Sequence, residues 1–310
     1  MSTPAEVAAP TLTLNLAHDV GEVLEYHFMI NALLAGGIVA VMAGLVGWLT
    51  VVRRETFAGH TLSLMAFPGA SSALLIGVPV AWGYFVCCGA GALAIGRFSD
   101  RATGSFNEES VGIGMVQALA LALGFLFLSL YSGVLGSLEN LLFGNPLGVS
   151  DAQLTTLAIV AAVVVLALGV LARPLLFASV DPDVARARGV PVKALSAAFL
   201  LLLGLAVAAT SQITGPLLVF ALLVMPAATA QALTARPGLS LALTVLLGLA
   251  IVWLGMGLAY FSVYPAACFI TGGAFVVYLL VRLLGATRRR LIARRLGPLA
   301  PPPVPEGVIA

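Results

Sequence analysis

The sequence predicts an all-α, polytopic membrane protein, and three observations carry that prediction. Of its 310 residues, 61% are hydrophobic and 9% charged, with a mean hydropathy of +1.09; soluble domains are roughly half apolar and about a quarter charged. The apolar residues gather in windows close to the ~20 residues that cross a bilayer as helix. Between those windows, lysine and arginine fall on one side only, the pattern of cytoplasmic loops.

Apolar windows lie at 27–50, 61–79, 80–96, 111–131, 154–172, 194–212, 214–235, 239–258 and 263–284. They predict nine transmembrane helices, with eight to ten open because "SGVLGSLENLLFGNPLGVS" at 132–150 has the composition to dip into the membrane. Residues 1–26 read as a polar extracytoplasmic segment. They lack the basic n-region and short apolar core of a secretory signal, so the first span serves as the insertion signal and stays. The second and third windows are parted only by "GVP" around Pro79, and the sixth and seventh by Gln212 to Pro216; each pair reads as a tight helical hairpin. The spans occupy 27–284, and 285–310 form a basic, proline-rich cytoplasmic tail.

With the N-terminus outside, Arg53, Arg54, Arg97, Arg101, Arg173, Arg186, Arg188, Lys193, Arg236, Arg282 and the tail arginines all fall inside, so the C-terminus is inside as well. The outer segments hold Glu22, Glu25, Glu139 and Asp151. Formal net charge is only +2, because the basic cluster "RLLGATRRRLIARR" is offset elsewhere. Such a cluster beside a span suits anionic membrane lipid rather than nucleic acid. Cys87, Cys88 and Cys268 stand in apolar segments and read as small hydrophobes, with no disulfide framework.

What the spans lack narrows the function. No Asp or Glu lies within the nine windows, and the one basic residue, Arg282, sits at an end where it snorkels. Ion-coupled carriers need buried ionisable groups to link ion binding to conformational change, so that class is the weaker reading. No carboxylate pair, HExxH or Ser/His constellation supports hydrolysis in the membrane. A P-loop needs GxxxxGK[ST], and the only lysine, Lys193, stands in "RGVPVKA". The chain is therefore read as no enzyme. Active transport would draw its energy from a partner.

Between the fifth and sixth spans lies "ARPLLFASVDPDVARARGVPVKA". Asp181 or Asp183 caps a helix of about two turns with Pro182 in its first turn, and Gly189 followed by Pro191 ends it. Carrying Ala185, Arg186 and Arg188, this segment suits docking into a groove on a soluble motor; an ordinary polar connector is the other reading. In "TGPLLVFALLVMPAATAQALTA", Pro226 removes a backbone hydrogen bond near mid-helix, and Thr229, Gln231 and Thr234 follow. Irregular backbone at membrane depth is tolerated facing protein or a water-filled cavity, so these residues either line a pathway or form a packed kink. Glycines in the first and third spans suit close helix packing, and Met225 and Met256 suit packing or a soft thioether contact. At the outer side, a helical segment would set His18, Glu22 and Glu25 on one face near Asp19 and His27. That makes either a cation-attracting patch or a solvated tail.

"DPDVARARGVPV" resembles the coupling-helix loop of permease subunits of the metal-ion ABC importer family, for zinc, manganese and iron uptake. "NALLAGGIVAVMAGLVGWLTVVRRETFAGHTLS", "LENLLFGNPLGVS", "ITGPLLVFALLVMPAATAQ" and "ACFITGGAFVVYLL" match the same family in the same order, over about His27 to Leu284. The resemblance implies a type II ABC importer permease-like fold in the plasma (inner) membrane. It further implies a second copy of the chain, a cytoplasmic ABC ATPase dimer that binds ATP and Mg, and an extracytoplasmic metal-binding protein. By that analogy, Asp181 to Val190 transmit ATP-driven closure to the spans, and a divalent metal ion or small metal complex moves inward. The second span of such permeases opens with Asp-x-x-x-His. Here His60 holds the first place and Leu64 the second, which leaves one ligand where divalent ions want several. An ion-coupled carrier and a membrane scaffold for a soluble partner are the competing functions.

Overall fold

A computed structural model describes residues 16–101, 106–131, 142–262 and 264–296. Those residues form ten helices: α1 Leu16–Glu25, α2 His27–Val52, α3 Thr56–Ile76, α4 Val80–Arg101, α5 Phe106–Leu130, α6 Asp151–Val180, α7 Pro182–Ala187, α8 Val192–Leu233, α9 Pro237–Tyr260 and α10 Ala266–Leu296. There is no strand among them.

Each apolar window falls on a helix, but the windows and helices do not correspond one to one. Seven helices are long and apolar enough to cross a membrane: α2, α4, α5, α6, α8, α9 and α10. Of the helices that carry an apolar window, α3 is the one outside that set; its His60, Ser63, Pro68, Ser71 and Ser72 dilute its apolar character. The sixth and seventh windows merge into the 42 residues of α8. At ~1.5 Å per residue, a straight helix of that length would be about twice as long as a ~30 Å hydrocarbon core is thick. It is not straight. Gly215 breaks it at φ 71 and ψ 157, a region open essentially to glycine, and Pro216 both lacks an N–H and disfavours the α conformation at the residue before it. The arms fold back on each other: Gly59 of α3 meets Leu203 of the first arm and Leu223 of the second.

Local signals set several boundaries. Ser150 and Gln153 form a capping box at the start of α6, with Gln153 N donating to Ser150 Oγ at 3.3 Å and Ser150 N to Gln153 Oε1 at 3.0 Å. The α2 end closes with the Glu55 N–H on Thr50 O and the Arg54 N–H on Val51 O, leaving Arg54 at φ 60. Within the segment 1–26 read as polar, residues 16–25 are helical as α1, and α10 continues past the predicted limit at 284 to Leu296. Of the 132–150 segment, 132–141 lie outside the described residues, as does Glu139.

Both arms of α8 form the centre of the bundle, packed against α2, α3, α4, α6, α9 and α10. Phe199, Leu203, Val207, Ala208, Leu218, Val219 and Leu222 on it are almost wholly buried. Backbones approach closely where α3 crosses α4: Gly69 and Gly83 face each other so tightly that a Cβ on either would meet the other's carbonyl. All three cysteines are free. Contacts divide the bundle into two ends. Arg53, Ser179, Ser196, Trp48 and Gln231 meet at one. At the other lie Pro79, Gly148 and Gln212, together with His27 beside Asp151.

Candidate functional site

The helix α7 stands at the first of these ends, and its own residues define both limits. Asp181 is the N-cap: its Oδ1 accepts from the Asp183 N–H at 3.1 Å and the Val184 N–H at 3.0 Å, with Pro182 next in the first turn. At the far end, the Val190 N–H reaches Ala185 O and the Gly189 N–H reaches Arg186 O, with Gly189 at φ 80; this is the glycine-terminated helix end that closes with a left-handed residue. Ala185 alone in 181–189 is buried, and it pins the helix where α7 packs on α6 and α8. Asp181, Pro182, Asp183, Arg186, Arg188 and Gly189 are exposed. Asp183 and Arg186 pair at 2.7 Å across solvent, an arrangement that adds little stability. Six of these seven predicted residues therefore share one open surface and the seventh anchors it.

Beneath α7 lies a residue that sequence reasoning treated as one more loop charge. Arg53 is partly buried, its side chain enclosed to the point that 9% of it is exposed. Its Nη2 donates to Glu55 Oε1 at 2.7 Å and to Ser196 Oγ at 2.8 Å, its Nε to Glu55 Oε1 at 3.1 Å, and its Nη1 to Ser179 Oγ at 3.4 Å. The guanidinium also lies 5.0 Å from the centre of the Phe199 ring. The signal available in the sequence was the charge triplet Arg-Arg-Glu, "RRE", between two apolar windows: a carboxylate beside paired arginines can hold one of them in the protein.

The predicted pathway residues lie on the second arm of α8. Pro226 is buried, and Thr229 donates to Met225 O of its own helix at 2.7 Å. Gln231 bridges to α2, its Nε2 donating to Trp48 O at 3.3 Å, while Trp48 Nε1 donates to Ser240 Oγ of α9 at 3.0 Å. His60 is one turn into α3. Its ring packs 4.6 Å from that of Phe220, and its buried Nδ1 has no hydrogen-bond partner. Leu64, one turn on, is 8% exposed. Among the described residues no three His, Cys, Asp or Glu side chains gather into a metal-holding group. Of the outer patch expected around His18 and His27, the side chains of His18 and Asp19 lie outside the described residues; His27 contacts Asp151 at 3.4 Å, with Asn31 Nδ2 donating to the same carboxylate oxygen at 2.6 Å.

At the opposite end from α7, a cavity of about 510 Å³ opens beside the Gly215 break. Tyr84, Asn145, Gln153 and Gln212, all uncharged and polar, are among the residues that line it. Its volume is in the range of small-molecule sites, roughly 300–1,000 Å³.

Three comparisons bear on this arrangement. The sequence profile of the ABC 3 transport family matches residues 25–285. The manganese transport system membrane protein MntC of Halalkalibacterium halodurans is 33% identical over 249 residues, covering 80% of this chain and 83% of that protein. A probable iron transport system membrane protein of Haemophilus influenzae is 30% identical over 250 residues, covering 80% and 91%. Among solved structures, PsaBC from Streptococcus pneumoniae in complex with a Fab superposes with a TM-score of 0.75 at 26% identity, covering 86% of this chain and 95% of that one.

Proposed function

The chain belongs to the ABC 3 transport family, and from that premise we propose that it is the membrane-spanning subunit of an ATP-driven importer of a divalent metal ion or small metal complex. It is a multi-pass protein of the plasma membrane. Manganese and iron are the cargo classes favoured by the relatives' names; zinc remains within the family reading.

The observation that carries this reading is α7: capped at both ends, held by one buried alanine, and otherwise presented to solvent. A short rigid helix of this kind transmits a push, since docking on it moves the ends of α6 and α8 together. We place it in the cytoplasm, because Arg53, Arg54, Arg186, Arg188, Lys193 and Arg236 flank the helix ends on that side of the bundle, whereas Asp151 lies on the other. With α3 and both arms of α8 counted, the bundle then has nine crossings, the N-terminus outside and the C-terminus inside. In the working transporter, two copies of this chain would meet a cytoplasmic ATPase dimer carrying ATP and Mg, and an extracytoplasmic metal-binding protein would deliver cargo. This chain's part is to bind the motor through 181–189 and to open alternately to each side along Pro226, Thr229 and Gln231. The amide-lined cavity beside Gly215 is the entry on the delivery side.

Reconstitution of the chain with its ATPase and delivery protein in proteoliposomes tests the reading, with uptake of radioactive manganese and ATP hydrolysis followed together. Uptake that requires ATP supports it; uptake driven by a proton or sodium gradient without the ATPase overturns it in favour of an ion-coupled carrier. Labelling of a cysteine at position 188 from the outer face would reverse the orientation and remove the docking role.

A further inference from the structure

We infer that Arg53 is the positioning residue that links displacement of α7 to the start of α3. The inference rests on the proposed coupling role of α7 and adds a route by which its movement enters the bundle. Chain order places Arg53 far from α7, yet its guanidinium bonds to both segments that flank it: Ser179, two residues before the Asp181 cap, and Ser196, in the first turns of α8. The same group holds Glu55, the residue that precedes α3, through two of its nitrogens. One planar, rigid group thus joins three elements.

The physical character of the link suits transmission. A guanidinium presents its donors in a fixed fork, so moving one partner rotates or strains the bonds to the others, whereas an ammonium would pivot freely. Burial strengthens the effect: Arg53 and Glu55 are 9% and 17% exposed, and an ion pair in reduced dielectric resists separation far more than one in water. The guanidinium also rests on Phe199 of α8, which fixes its plane. When α7 is displaced, Ser179 and Ser196 shift with it, and Arg53 draws Glu55 and the first turn of α3 along. That turn leads directly to His60 and its contact with Phe220 on the second arm of α8. The connection between α2 and α3 is held at Arg54 in a left-handed conformation, φ 60, which keeps the two helix ends at a defined angle and the Arg53 side chain directed beneath α7.

The test uses the full transporter with its ATPase in nanodiscs, on a background in which Cys87, Cys88 and Cys268 are replaced. A single cysteine is placed at Val180, which is 84% exposed beside α7, or at Phe57, 41% exposed in the first turn of α3. Maleimide labelling rates are compared without nucleotide and after vanadate trapping of ATP, a readout that needs no cargo. In the parent, trapping is expected to change the rate at both positions at least threefold. In Arg53→Ala and in the milder Ser196→Ala, the change at position 180 should persist while that at 57 shrinks to less than half, and Arg53→Lys should restore only part of it. An undiminished change at 57 in these variants overturns the inference and leaves the coupling role of α7 standing. Loss at both positions in the variants also overturns it, since Arg53 would then be supporting α7 itself. Absence of any change at 180 in the parent removes the coupling role, and the inference falls with it.

Discussion

Gly144 and Gly215 face each other backbone to backbone, each with a positive φ, 67 and 71, and a Cβ on either would run into the other's backbone nitrogen. The turn before α6 is therefore seated in the break of α8, and the reversal of α8 is held by glycine on both sides.

Gly215→Ala should lower the thermal midpoint of the purified protein sharply. The methyl group meets Leu142 O as well as Gly144 N, adding overpacking of about 1–3 kcal/mol to a backbone conformation that costs a non-glycine residue about 1–3 kcal/mol more. Gly169→Ala serves as the comparison, since nothing lies within 4 Å of its added methyl and alanine favours a helix interior by about 1 kcal/mol. Fluorescence-detected size exclusion after heating should separate the two, and equal midpoints would show that the Gly144–Gly215 contact is not required.

Asp181→Ala should loosen α7 without unfolding the bundle. Two backbone N–H groups, of Asp183 and Val184, lose their acceptor, a loss worth about 1 kcal/mol for a helix cap. Hydrogen exchange at 183–187 is expected to accelerate severalfold while the core of α8 stays protected. Asp181→Asn, which keeps a capping oxygen, should recover most of the protection.

Gly189→Val should lower metal uptake per ATP hydrolysed in the reconstituted complex. Open space surrounds Gly189, so the effect arises from φ 80 rather than from collision; a β-branched residue there costs roughly 1–2 kcal/mol and favours re-forming the helix end another way. Asn is far more at home in that conformation, so Gly189→Asn should retain most of the coupling. Equal uptake in parent and Val variant would count against 181–189 as the motor contact.

The helix α7 was legible because its signals are local: a capping carboxylate, a proline in the first turn and a terminal glycine act within a few residues of one another. The break in α8 was legible for the same reason, at Gly215–Pro216. The enclosure of the Arg53 side chain was not, because it depends on Ser179 and Ser196, residues brought near only when α6 and α8 pack against α2. The same applies to Gln231 with Trp48 and Asn31 with Asp151, where each polar group finds its partner on a distant helix. The window at 61–79 did mark α3, although that helix is less apolar than the seven candidate spans; what it did not mark is how deeply Leu62, Ala66, Phe67 and Ala70 are buried, since that depends on the neighbouring helices.

Leu64→His tests whether His60 faces the cargo path. Residues four apart on α3 lie on the same helix face, so the substitution offers two imidazoles where the parent has one, half of the four ligands zinc prefers. The buried Nδ1 of His60 has no partner at present, so one ring nitrogen is free of competing bonds, while Phe220 limits how far the ring turns. Zinc retained by the purified, dialysed protein and measured by mass spectrometry is expected to rise severalfold over the parent. It should return to the parent value in His60→Ala/Leu64→His, because a single imidazole again remains. Leu64→Ala opens the same space without a ligand and should leave the zinc content unchanged. Equal zinc in the parent and Leu64→His proteins would mean that His60 serves the packing against Phe220 and takes no part in the path.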